Sequence, residues 1–196
     1  MQLESAGRSA IRRAALCAIA GVFVVESGAN QQVQATTPLA PPAVRDGRND
    51  FDFIDGRWKV SNRTLKSSGS NEWTSFDMDY EGWTTMGGRA NFDRMYGPLH
   101  GKYFEGVSFR TFDPTKREWT IYWMSINDKE MSEQVRGRFD GDVGTFISTD
   151  RQTRFIWHRL GRTHATWEQA SAQPDGSWET TWTMDFHRVG GHLAKR

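Results

Sequence analysis

The chain has 196 residues, with 25 Lys and Arg against 24 Asp and Glu and a mean hydropathy of −0.69. A charge this close to balance lacks the basic surplus of a dedicated nucleic-acid binder, and the low hydropathy excludes a bundle of membrane-spanning helices. A single cysteine excludes an internal disulfide framework and a cysteine-based zinc site, whereas 9 Trp and 12 Phe can fill one compact core.

Residues 1–35 read as a signal peptide. Arg8, Arg12 and Arg13 form a basic start, and the apolar run from Ala14 to Val25 follows it. That run falls short of the roughly 20 residues a bilayer requires and suits the apolar stretch of a leader; the alternative is a frayed N-terminal helix. Small residues permit cleavage after Ala29 or after Ala35. Cleavage after Ala35 removes Cys17, the three arginines, Glu4 and Glu26, which keeps the charges balanced. The cysteine-free remainder suits an oxidising compartment, so the expected location is periplasmic or secreted, with no membrane span in the mature protein. Residues 36–48, opening with Thr36-Thr-Pro-Leu-Ala-Pro-Pro42, read as a semi-rigid spacer. One domain over residues 49–190 and a short tail over 191–196 complete the chain.

From Phe51 onward the pattern is that of short strands. Trp58 and Val60 alternate with Arg57, Lys59, Ser61 and Arg63, which marks a strand with one buried face. Phe76, Met78 and Tyr80 alternate with Asp77, Asp79 and Glu81 in the next. A strand over 90–96 is bounded by Gly87-Gly88 and Gly97-Pro98, which places His100 in a turn. Strands over 102–112 and 118–126 flank Asp113-Pro-Thr-Lys116, a type I turn pattern, and strands over 134–139 and 143–149 flank Asp140-Gly-Asp142. Strands over 153–159, 164–172 and 178–189 bring the count to ten. Ten short strands without a long helix predict a sandwich or a closed antiparallel barrel.

The last strand favours the barrel. Trp178, Thr180, Trp182, Met184, Phe186 and Arg188 fall on one face by alternation, bulky enough for an inner wall. An inward arginine at a strand end needs a partner, and the indole of Trp58 is a suitable one.

Gly56-x-Trp58 on the first strand with Arg188 near the end of the last resembles the structural pattern of lipocalins and other calycins. The segments Phe51–Trp58, Tyr122-Trp123, Trp167-Glu-Gln169 and Trp178–Phe186 look more closely like the DUF1579 family of bacterial lipocalin-like proteins. The resemblance runs from about residue 50 to residue 189. It implies a single up-and-down antiparallel β-barrel of about ten strands, in which Trp58 and Arg188 close one end, and it implies no catalytic residues.

A barrel of this size has room for one small ligand. Phe76, Met78, Tyr80, Trp123, Trp182 and Met184 are the candidate wall, which would equally serve a filled core. Asn62, Thr64 and Thr180 are the candidate polar groups that orient a ligand, which solvent at an open rim would also explain. The expected partner is a small apolar or amphipathic molecule, and neither a cofactor nor a metal is implied. The alternative is a barrel enzyme of the cyclase, isomerase or lyase kind with one acid-base residue. Glu168 and His158 are its candidates, Glu168 because a buried carboxylate has a raised pKa, His158 because an inward imidazole shuttles protons. An interaction module that uses the outer face is the third reading.

Overall fold

The computed structural model describes residues 46–132 and 134–191. The expected signal peptide, most of the expected spacer and residues 192–196 of the tail lie outside these. Ten strands follow in chain order: β1 (Gly56–Leu65), β2 (Trp73–Thr85), β3 (Ala90–Leu99), β4 (Lys102–Asp113), β5 (Glu118–Ser125), β6 (Val135–Asp140), β7 (Val143–Ser148), β8 (Thr153–Arg159), β9 (His164–Ala172) and β10 (Trp178–Gly190). Each pairs antiparallel with its chain neighbour, and β10 returns to β1, so the sheet closes into an up-and-down barrel. Closure leaves no edge strand to be protected. Among the described residues, no helix is long and apolar enough to cross a membrane.

The local chemistry explains the turns. The Asp113 carboxylate accepts hydrogen bonds from the backbone N–H groups of Thr115 and Lys116, at 2.9 and 3.1 Å, which holds the β4–β5 turn. Leu99 pairs with Lys102 across a two-residue turn in which His100 and Gly101 both have positive φ, at 52° and 75°. β3 therefore runs three residues beyond its expected end, through Gly97 and Pro98. Proline is tolerated there because the pairing of β2 with β3 stops at Asp79 and Tyr96, so no ladder bond is required of Pro98 on that side.

The start of the domain seals one end. Asp46–Arg48, assigned by sequence to the spacer, are part of this seal: the Trp119 indole N–H donates to the Gly47 carbonyl at 3.0 Å. A 3₁₀ turn at Asp52–Ile54 follows. Phe51, almost wholly buried, meets Trp119 and Phe139 edge-on at centroid distances of 5.0 and 5.1 Å. Trp58 donates from its indole to the Ile54 carbonyl at 3.0 Å. Arg188 crosses the Trp58 ring at 4.2 Å and donates to the carbonyls of Phe53, Asp55 and Arg162. The arginine thus ties the last strand to the plug.

One expectation about the last strand needs correction. The pairing of β10 with β9 shifts between Thr180 and Trp182. This bulge breaks the alternation, so Thr180 and Trp178 do not share the inward face of Trp182 and Met184. Thr180 instead stands opposite Ala170, which is itself opposite Arg154, and the Arg154 guanidinium lies 4.8 Å over the Trp178 ring on the outer side.

Candidate functional site

Between the plug and the opposite end lies a cavity of about 380 Å³. That is at the lower end of the range of small-molecule sites, roughly 300–1,000 Å³. Its apolar wall is built by Trp123, Phe155, Trp157, Trp167, Trp182 and Met184. The indole N–H of Trp182 donates to the Asn62 side-chain oxygen at 3.0 Å, and its ring stands edge-on to Trp167 at 5.8 Å. Trp123 lies against Gly106, where a Cβ would come within 2.1 Å of the ring, so the absence of a side chain at that position gives the indole its place. Ser132, from the segment between β5 and β6, and Asp150, from the β7–β8 turn, reach the wall at the open end.

The polar part of the cavity is a buried cluster on β2, β3 and β4. Arg110 forms an ion pair with Asp93 and donates to the Asn91 side-chain oxygen at 2.7 Å; all three are buried. The Arg110 guanidinium also lies 4.8 Å over the Phe51 ring, which couples the cluster to the plug. Burial alone would lower the Arg110 pKa, but the negative charge of Asp93 and the hydrogen bonds around the guanidinium outweigh it, and the group is held charged. Tyr80 stands beside this pair. Burial, and then the negative charge of Asp93, push its phenol well above the usual tyrosine range. It is therefore a neutral hydroxyl with a proton to donate. Asp93 and Arg110 act on it both through charge and through hydrogen bonding, so the phenol belongs to the buried cluster, and its oxygen is shielded from solvent.

Of the residues singled out by sequence, Tyr80, Trp123, Trp182 and Met184 come together on the cavity wall. Asn62, Thr64, Phe76 and Met78 face inward by register but do not line it. Met78 is core, Phe76 backs Trp182 at 6.4 Å, and Asn62 is committed to Trp182. Glu168 and His158 alternate with Trp167 and Trp157, which line the cavity, so both stand on the outer face. Glu168 lies 3.8 Å from Arg154, an ordinary half-exposed ion pair, and neither residue reaches the chamber.

Asp93, Arg110, Asn91 and Ser108 escaped the sequence reading because β3 inverts the usual pattern. Its inward face carries Asn91, Asp93 and Met95, while Phe92 points out and is 38% exposed. Phe92 belongs to a row of aromatic side chains along the outer surface, opposite Trp83 on one side and Phe109 on the other. The signal that would have found the cluster is on β4, where Arg110 shares a face with Phe104 and Phe112. An arginine between two core phenylalanines requires a buried partner. Sequence reading also assigns no metal ligands, whereas the outer surface near the plugged end gathers His164, Asp185 and His187.

The fold and the chamber together define a closed ten-stranded antiparallel barrel with a partly polar interior cavity. The chain matches no protein-family model, and no curated protein matches it in sequence.

Proposed function

We propose that the protein is an exported barrel that binds one small amphipathic molecule in its interior. The observation that carries this reading is a chamber of about 380 Å³ with an apolar wall built largely of indole rings and a polar side at Ser108, Asp93 and Arg110. A ligand with an apolar or aromatic body would lie among Trp123, Trp167 and Trp182, with its polar group toward Ser108 and Arg110. Arg110 is balanced by Asp93, so the ligand's polar group needs no full negative charge; a carbonyl, ether or hydroxyl oxygen suffices. Export rests on the sequence of residues 1–35 alone, and the Trp motifs are the ground for grouping the chain with the DUF1579 family.

Native mass spectrometry of the protein purified gently from its own host tests the binding reading. The expected result is a stoichiometric adduct of one small molecule that is lost in Ser108→Phe, which fills the chamber beside Arg110. Repeated apo masses for the unmodified protein would contradict it, as would an adduct that Ser108→Phe leaves in place.

A further inference from the structure

His187 on β10 stands directly opposite His164 on β9, and Asp185, two residues before His187, shares their outward face. The two imidazole rings stack nearly parallel, at 10° and 4.7 Å between centroids. Both direct Nε2 at the same carboxylate: His164 Nε2 lies 2.6 Å from one Asp185 oxygen and His187 Nε2 lies 3.2 Å from the other. The three ligand atoms fall within 4.8 Å of one another, on two strands of a closed sheet. From this geometry we infer that His164, His187 and Asp185 form a binding site for a divalent transition-metal ion, independent of the interior chamber.

The chemistry of the donor set selects the ion. Two imidazole nitrogens and one carboxylate oxygen suit zinc, copper or nickel, and they do not suit magnesium or calcium, which take oxygen ligands. Metal–ligand bonds of roughly 2.0–2.2 Å place neighbouring ligand atoms a little over 3 Å apart. The His187 contact at 3.2 Å meets that spacing, whereas the His164 contact at 2.6 Å is closer than two ligands of one ion stand. Occupancy therefore requires His164 and Asp185 to part slightly and the three ligand atoms to converge on one point. Partial exposure of all three side chains lets them rotate to do so. Three protein ligands leave the remaining coordination to solvent.

The surroundings do not oppose a cation. Lys59, opposite His187 on β1, is held by Asp79 at 2.7 Å, and Asp185 is flanked across the sheet by the neutral Ser61 and Thr166. Arg188, next in the chain, turns to the other face to cover Trp58.

Isothermal titration calorimetry of the untagged chain with zinc chloride near pH 7.5 tests the site. The expected result is one equivalent bound, with affinity lowered by about tenfold or more in each of His164→Ala, His187→Ala and Asp185→Asn. His100→Ala and His158→Ala are expected to bind as the unmodified chain does. A cobalt(II) absorption spectrum, with bands expected in the unmodified chain and absent in His164→Ala, reads the same site without relying on heats. Circular dichroism establishes that each variant is folded. No zinc binding by the unmodified chain, or undiminished binding in the three variants, would overturn the inference.

Discussion

At the end of the barrel where β1 begins, the chain's own segment before β1 packs into the opening. The plug from Asp46 to Asp55 lies across it, Phe51 fills the middle, and Arg188 ties the plug's carbonyls to β10. At the other end two seams come apart. β2 leaves β3 beyond Asp79 and Tyr96, and β5 pairs with β6 only from Trp119 to Ile121. The segment after β5 is instead held to Trp123 by Ser132, through both backbone and side-chain bonds. One sheet thus combines a closed, aromatic, hydrogen-bonded floor with a loosely paired mouth. That division separates stability from access, because the residues that hold the barrel together are largely not those at the entrance.

The largest losses are expected at the floor and in the buried cluster. Trp58→Ala should destabilise by about 3–5 kcal/mol in urea unfolding, through the cavity left by a fully buried indole. Asp93→Ala should cost a similar amount, about 3–5 kcal/mol, because it strands the buried charge of Arg110. The double change Asp93→Leu with Arg110→Met should recover most of that loss, since no unpaired charge remains. If the double variant is as unstable as Asp93→Ala, the electrostatic account of the cluster is wrong.

Arg188→Ala should cost about 2 kcal/mol, from its bonds to the plug carbonyls and the packing of its stem. Its effect should be non-additive with that of Trp58→Ala, and a double-mutant cycle with no coupling would show that the two do not act as one closure. At the mouth, Gly106→Ala should cost about 1–3 kcal/mol and displace the Trp123 ring, visible as a changed tryptophan emission. The smallest effect is at alkaline pH. The unfolded chain loses the Tyr80 proton near about pH 10, whereas the folded chain keeps it to higher pH, so folding stability should fall as pH rises above that point. Tyr80→Phe should flatten this decline in urea midpoints measured across the alkaline range. Tyr103, also raised through its bond to Glu105, is 59% exposed and should titrate without unfolding.

The strand count and the closed barrel were legible in the sequence because β1 and β2 alternate cleanly and the turns carry Asp-Pro, Asp-Gly and Gly-rich pairs at regular intervals. Trp58 and Arg188 were legible as a pair because an arginine ending an apolar face has few ways to be satisfied. The chamber was legible only in its aromatic half. Its polar half escaped because Asn91 and Asp93 take the inward positions of β3 while Phe92 faces out, and alternation alone gives no reason to reverse the usual assignment. Thr180 was misplaced because a one-residue bulge leaves no mark in a run of Thr and Trp. The metal-ligand cluster was hidden because His164 meets Asp185 and His187 only through strand register.

The central claim is that the indole-lined chamber holds one small molecule. A high-resolution crystal structure of the protein taken from its own host tests it most directly. The expected result is density for an organic molecule among the indoles, with its polar group toward Ser108 and Arg110. A chamber closed by its own side chains, or filled only with water, would contradict it.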